Sequence, residues 1–534
     1  MAKRTQPTSQ NFGDKLFSLG FFILVAVVPL GWEHIPILLW KYFSGALGQP
    51  AEFVFVAYYP KLLALYIGIA ILFLAWIVAS PNRVLIRTSS LTSIATLYIG
   101  LTALSIFWAS NRVEATLLIV HHIGLLLLFF VLLHTVRVQN LTHHIRTIVA
   151  VGVIIATLGI IQYAGWGLYW LPSAGFPSST LGYRNFAAMY ALLCIPLSLL
   201  LFLETRREIS LWGWALSTAV LITFLFCTRT RGAWVGLGVS ALVGLIALFF
   251  LKTHDTHRLW RNIQSTLTRE HTIPAIASLL LCIGFLSIVS PNMQGRGFDR
   301  NRSDKAQILT SATSILDRSK DQRRSVQDRL FMWQHTQEMI EDHPITGVGA
   351  GNWQIAYPAY DGGDIVWESA TPRRPHNDYL WIAAEIGIPG LLIYLAFLIT
   401  IAIYTIRLIA TQNRSRVRLP LAFGMSILAL SVHAFFSFPR ERIAVSMGIA
   451  YQGLQQYNAS TQALQRAFDL EPSNANIRSY LAKAHYSLGE HRLSKADTSG
   501  AISSYTAFLN IWQGDATSAT TVNQKLQALQ SPRP

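Results

Sequence analysis

The side chains best suited to chemistry in this sequence are a few arginines and one histidine, each placed where an apolar run begins or ends. Arg229 and Arg231 lie in a four-residue link, Thr228-Arg229-Thr230-Arg231, between two long apolar runs. Arginine beside a membrane is costly and tends to face a polar cavity or an anionic partner. The alternative is that both guanidiniums reach out to lipid headgroup phosphates. Arg329 begins a segment, 326–342, that reads as an amphipathic helix, with Val326, Leu330, Trp333 and Ile340 spaced to share an apolar face. Gly347-Val348-Gly349-Ala350-Gly351-Asn352-Trp353 follows, a turn whose backbone could approach a phosphate closely.

Arg373-Arg374-Pro375-His376-Asn377-Asp378-Tyr379 then leads straight into an apolar helix. Asn377 or Asp378 can cap that helix, which sets His376 at the positive end of its dipole. A histidine there loses its proton readily and suits a neutral base. Glu385, seven residues after Asp378, is one of the few acids inside an apolar run, and an arginine or histidine of another helix is its expected partner. Arginine offers phosphate oxygens paired donors, so the set points to a pyrophosphate-bearing ligand. No aspartate cluster with metal-ligand spacing accompanies it, so neutralisation by arginine is expected, with no metal and no cofactor.

The elements that must carry these residues are membrane helices. The chain has 534 residues, 52% apolar and only 13% charged, too few charges to solvate several soluble domains. Apolar runs of about twenty residues recur, the length that crosses a bilayer core. They fall near 17–37, 60–79, 88–108, 115–136, 145–163, 186–203, 211–227, 232–250, 272–290, 379–406 and 418–438, with 443–456 as a weaker twelfth. The fold class is therefore an all-α polytopic membrane protein of eleven or twelve helices, because strands in lipid leave backbone groups unpaired. The first run lacks a small-residue cleavage site and reads as a retained helix. Gly387-Ile388-Pro389-Gly390 predicts a break, leaving 379–386 as a short helix before the true span.

Lysines and arginines fix the orientation. Lys3, Arg4 and Lys15 mark the start as cytoplasmic, and counting spans puts Arg83 and Arg87, Arg137 and Arg146, Arg206 and Arg207, Arg258 and Arg261, and Arg407 to Arg418 on that side. The loop 291–378 and the Thr228–Arg231 link then lie outside. Residues 291–325 are arginine-rich and aperiodic, which fits either a disordered segment or an electropositive lid. Arg440-Glu441-Arg442 reads as an ion-paired interfacial stop or a further external charge. Cys194, Cys227 and Cys282 sit in or beside apolar runs and are assigned to packing. The net charge of +16 is spread over these loops, and no nucleic-acid partner is expected.

Three segments together resemble the O-antigen ligase and polymerase superfamily of bacterial membrane glycosyltransferases. They are TRTRGAWVGL at 228–237, DRLFMWQHTQEMIEDHPITGVGAGNW at 328–353 and PHNDYLWIAAEIGIPGLLIYL at 375–395. The resemblance covers roughly 15–445 and implies a fold of the GT-C-like kind. It also implies an enzyme of the bacterial inner membrane, active on the periplasmic face, that moves a glycan from undecaprenyl pyrophosphate to an acceptor hydroxyl with inversion. The implied acceptor is lipid A-core; another lipid-linked glycan and a protein hydroxyl are the alternatives, as for a polymerase or a protein oligosaccharyltransferase. A lipid-linked glycan transporter is the non-enzyme rival.

By the same resemblance, Arg231 and Arg329 hold the donor pyrophosphate with Arg229 beside them, and His376 activates or orients the acceptor hydroxyl. Gly182-Tyr183-Arg184-Asn185-Phe186 matches a turn of the family. It adds Arg184 as a third donor-site charge and Asn185 as a contact or a helix cap, while Arg374, Asn377 and Glu385 complete the expected binding set. Trp166, Trp170 and Tyr183 read as interfacial belt residues, one of which could stack on a sugar. The membrane domain spans 1–456. Residues 457–534 read as a small tetratricopeptide-like tail, either a module for docking a protein partner or a cap on the membrane domain, with 463–472 ending one helix, Ala482, Ala484, Tyr486, Leu488 and Gly489 opening the next repeat, and Ala501, Tyr505 and Phe508 lining its partner helix.

Overall fold

The computed structural model describes residues 8–30, 58–79, 89–136, 140–166, 177–205, 207–250, 269–288, 320–361, 372, 374–411, 418–436, 475–494, 497–512 and 516–530. The chain divides into two compact units, Met1–Ile355 with Arg374–Arg440, and Ala356–Arg373 with Glu441–Pro534.

Among the described residues the first unit is all helix. The helices are α1 (Thr8–Phe22, continued by a π turn and Val28–Leu30), α2 (Tyr58–Ala79), α3 (Ser90–Leu104), α4 (Arg112–Thr135), α5 (Leu141–Ala164), α6 (Arg184–Glu204), α7 (Glu208–Cys227), α8 (Arg231–Phe250), α9 (Arg269–Ile288), α10 (Lys320–Asp342), α11 (Asp378–Thr411) and α12 (Arg418–Phe435). Nine of the described helices are long and apolar enough to cross a membrane, and apolar stretches of α8 and α9 form two shorter ones. Each expected run meets a helix, and residues 31–37 of the first lie outside the described residues. The twelfth candidate and Arg440–Arg442 fall outside the described residues. Leu63, Leu245, Leu280 and Leu281 point outward from their helices, as lipid-facing surfaces should.

The core is centred on α6, which packs against α5, α7, α8 and α12. Ala187, Ala188, Ala191 and Leu192 of α6 meet Ile145 and Val149 of α5, Leu221 and Phe224 of α7, and Ala233 of α8. Between apolar helices in lipid, close packing of small residues replaces hydrophobic expulsion from water. Gly236 of α8 shows this: an added Cβ would lie 2.5 Å from the Ala429 carbonyl oxygen of α12. Cys194 and Cys227 are buried free thiols and Cys282 is part-buried, in keeping with packing roles.

The predicted break in α11 is present. Gly387 has φ 77° and ψ 174°, a left-handed φ that suits glycine. The break sends the Ile388 N–H to the Pro344 carbonyl at 2.8 Å, and Pro389 has no N–H to give. The carbonyls of Ala384 and Glu385 thus lose their helical donors and accept from Val348 N at 2.9 Å and Gly349 N at 3.0 Å.

The glycine-rich turn is therefore a strap across the kink and not the phosphate cradle that its composition predicts. Four more of its N–H groups are engaged too. Gly347 N donates to His343 O, Ala350 N to Ser105 Oγ at 2.9 Å, Asn352 N to Gly349 O, and Trp353 N to Glu385 Oε1 at 3.3 Å. Asn352 Oδ1 also accepts from Asn111 N at 2.7 Å, which pins the strap to the start of α4.

In the second unit, α13 (Ala475–Ser494), α14 (Thr498–Ile511) and α15 (Ala516–Gln530) enclose a core of Ala482, Ala501, Tyr505, Phe508, Val522 and Leu526. Ala501, Tyr505 and Phe508 thus line the inner face of α14 as predicted. Residues 463–472 and the 456/457 boundary lie outside the described residues.

Candidate functional site at one end of the helix bundle

Arg184, Arg231 and Asp378 are the first residues of α6, α8 and α11, so three helix N-termini deliver site residues at one end of the bundle. The preceding turns share a further property. Ser179, Arg229 and His376 are the non-glycine residues with positive φ among the described residues, at 51°, 51° and 56°. Each lies in the turn entering one of these helices. Such backbone is costly for a side-chain-bearing residue and concentrates where a site dictates the chain path.

Asn377 caps α11, its Oδ1 accepting from Tyr379 N at 3.0 Å and Leu380 N at 3.2 Å. The cap fixes the chain one residue after His376. On the other side, the Trp333 indole donates to Pro375 O at 2.7 Å. Trp333 and Arg329 are four residues apart on α10 and so share a face. The bond that tethers α10 at Pro375 thereby brings Arg329 to His376. The buried face of α10 is centred beside the predicted one, whose Trp333 and Ile340 are part-buried. Met332, His335, Thr336 and Met339 are buried, whereas Leu330 is exposed. On this face the Trp353 indole donates to Thr336 Oγ1 at 3.1 Å, a contact that apolar periodicity does not report.

The cations converge. Arg329 lies in the field of Arg184 and Arg231, and Arg184 in that of Arg231 and Arg229. Burial, opposed by Tyr183, and then the Arg184 and Arg231 guanidiniums hold Arg329 below its ordinary value. His376 is affected more. Burial first, then Arg329, Arg374 and Arg184, push its imidazole down to about 3, so it is neutral at physiological pH. The structure thus brings together Arg184, Arg231, Arg329, Arg374 and His376 around a field that favours an anion.

Three expected residues take supporting places. Arg229 bonds the Tyr163 side chain of α5. Asn185 is the second residue of α6 and does not cap it; it is buried and meets Thr230 Oγ1 at 3.5 Å, joining the α6 turn to the Thr228–Arg231 link. Glu385 is 1% exposed and accepts from the Trp381 indole of its own helix at 2.8 Å and from Trp353 N of the strap at 3.3 Å. Tyr183, read as a belt residue, bonds the Arg184 side chain and belongs to the site, while Trp166 is exposed. Sequence reasoning missed His433 of α12, which lies in the field of Arg329. Its signal was an ionisable residue inside an apolar run.

Residues 216–395 match the family model described as O-Antigen ligase. This homology spans about a third of the chain and takes in Arg229, Arg231, Arg329, Arg374, His376, Asn377 and Glu385. Arg184, Asn185 and His433 lie outside the matched stretch and join the site only through the fold. No curated protein matches the chain. Among the described residues, no group of three or more His, Cys, Asp or Glu side chains is placed to hold a metal ion.

Proposed function

We propose that this protein is a glycosyltransferase of the bacterial inner membrane that moves a glycan from undecaprenyl pyrophosphate to an acceptor hydroxyl on the periplasmic side, with lipid A-core as the acceptor. The observation that carries the reading is the convergence of Arg184, Arg231 and Arg329 on a neutral His376 at one end of a membrane bundle. The match of residues 216–395 to the O-Antigen ligase family supports the choice of acceptor. The basic loops on the opposite side support the periplasmic orientation.

In this mechanism the arginines take the pyrophosphate, and His376 accepts the proton of the acceptor hydroxyl. The hydroxyl oxygen forms a bond to the anomeric carbon from the face opposite the pyrophosphate. The bond from that carbon to the pyrophosphate oxygen breaks, which inverts the centre. Undecaprenyl pyrophosphate departs with the bonding electron pair, and the guanidiniums stabilise the charge that develops there, the usual source of the largest rate effect. His376 is free to accept a proton because it is neutral, and a pyrophosphate held by the arginines offsets their field and raises its strength as a base toward the working pH. The tail is proposed as a tetratricopeptide-like docking module.

A glycan profile of cells lacking the gene tests the reading. Ligation predicts full-length polymer stranded on its lipid carrier and bare lipid A-core. Core carrying one repeat would indicate polymerisation instead, intact lipopolysaccharide with unmodified proteins would indicate protein glycosylation, and unchanged pools would contradict a transferase of any of these kinds.

A further inference from the structure

The last turn of α12 touches α8, α10 and α11, which carry or adjoin Arg231, Arg329 and His376. Phe435 packs edge-on against Trp333 of α10, and Tyr379 of α11 donates to Ser431 O at 2.8 Å. His433, between them, is 0% exposed. Its Nδ1 would lie 3.2 Å from a Cβ at Gly232, and Phe436 Cβ 2.8 Å from the same point. Gly232 thus leaves the room in which the imidazole lies, directly behind Arg231.

The imidazole is chemically unfinished. Among the described residues neither ring nitrogen forms a hydrogen bond of ordinary geometry, and the Gly232 backbone is the polar group it approaches. A buried polar group left in this state is destabilising, and an apolar side chain of the same size would avoid that cost. The feature is at odds with a packing role and consistent with a bond completed only when the site is filled. Arg329 is the charged group whose field reaches His433 from α10, while Gly232 and Gly236 present only backbone from α8.

We propose that His433 is a positioning residue of the donor site, which donates to the main chain at Gly232 when a lipid diphosphate fills the arginine cluster and so fixes Arg231 against the anion. This rests on the donor assignment above. His433 acts on donor affinity through Arg231 and takes no part in bond making.

The test uses the full-length protein in lipid nanodiscs, with transfer kinetics from undecaprenyl-pyrophosphate-linked glycan and direct binding of undecaprenyl pyrophosphate. His433→Phe fills the space without a donor and should raise donor KM about tenfold, the scale of one hydrogen bond in a charged site, with kcat within about twofold. His433→Gln restores an N–H and should recover KM to within about threefold. A donor KM unchanged in His433→Phe, a loss in kcat alone, or equal damage from both variants overturns the proposal. If His433→Phe fails to assemble, 15N-histidine spectra of the wild type decide. The His433 signal, identified by its absence in His433→Gln, should move on adding undecaprenyl pyrophosphate, and a stationary signal overturns the proposal. A wild type that neither binds undecaprenyl pyrophosphate nor transfers defeats the donor assignment and this inference together. A wild type that does both beside an indifferent His433→Phe defeats this inference alone.

Discussion

An exposed histidine used as a base loses activity below pH 6.5, and His376 should not. Its burial and the guanidiniums of Arg329, Arg374 and Arg184 move its proton affinity from the ordinary 6.5 down to about 3, which corresponds to ~5 kcal/mol against the imidazolium. At pH 5.5 an ordinary histidine would be roughly 90% protonated, whereas His376 would be protonated to roughly 0.3%. The kcat/KM for donor reports the free enzyme. It should therefore stay level between pH 5.5 and 7.5, where an ordinary base would lose about tenfold. The kcat profile, which reports the donor complex, should show its acid limb at higher pH, because a bound pyrophosphate offsets the arginines. Arg329→Gln removes the largest charge acting on the imidazole and should make protonation easier by about tenfold, still leaving kcat/KM level at pH 5.5. The assay is transfer by protein in nanodiscs with saturating acceptor. A kcat/KM that halves near pH 6.5 would refute the reasoning, since His376 would then titrate as though exposed and unaccompanied.

Arg231→Lys keeps the charge but loses the planar pair of donors, and should raise donor KM about tenfold while Arg231→Ala raises it further; equal affinities for wild type and lysine variant would contradict paired recognition. Gly387→Ala puts a Cβ against the Ile345 carbonyl at a left-handed φ, and should destabilise the protein by about 1–3 kcal/mol, read as a lower melting temperature in detergent. Trp333→Phe keeps the ring against Phe435 but deletes the bond to Pro375 O, and should lower kcat by roughly tenfold with about 1 kcal/mol lost in stability. Wild-type turnover in that variant would show that α10 does not need this tether to present Arg329.

Much of the fold was legible because membrane helices are written as long apolar runs, and the break in α11 because Gly387 permits a left-handed φ and Pro389 has no N–H to give. The candidate site was legible where a charge stood against an apolar background, as with Arg229, Arg231 and His376. What escaped was fixed by partners remote in sequence. The glycine-rich turn looks like a phosphate loop until its N–H groups are matched to carbonyls that the break frees some forty residues later. The exposure of Leu330 on α10 was missed because buried Thr336, bonded to the Trp353 indole, and His335 do not figure in apolar periodicity. His433 was overlooked because only the packing of α12 on Gly232 shows it standing behind Arg231.

The most direct measurement is transfer by the purified protein in nanodiscs, from undecaprenyl-pyrophosphate-linked glycan to lipid A-core, for wild type and His376→Ala side by side. The wild type should form the product with the linkage inverted. His376→Ala, assembled to the same level and binding undecaprenyl pyrophosphate, should fall at least a hundredfold, the lower bound for losing a general base. Undiminished transfer by His376→Ala would contradict the account.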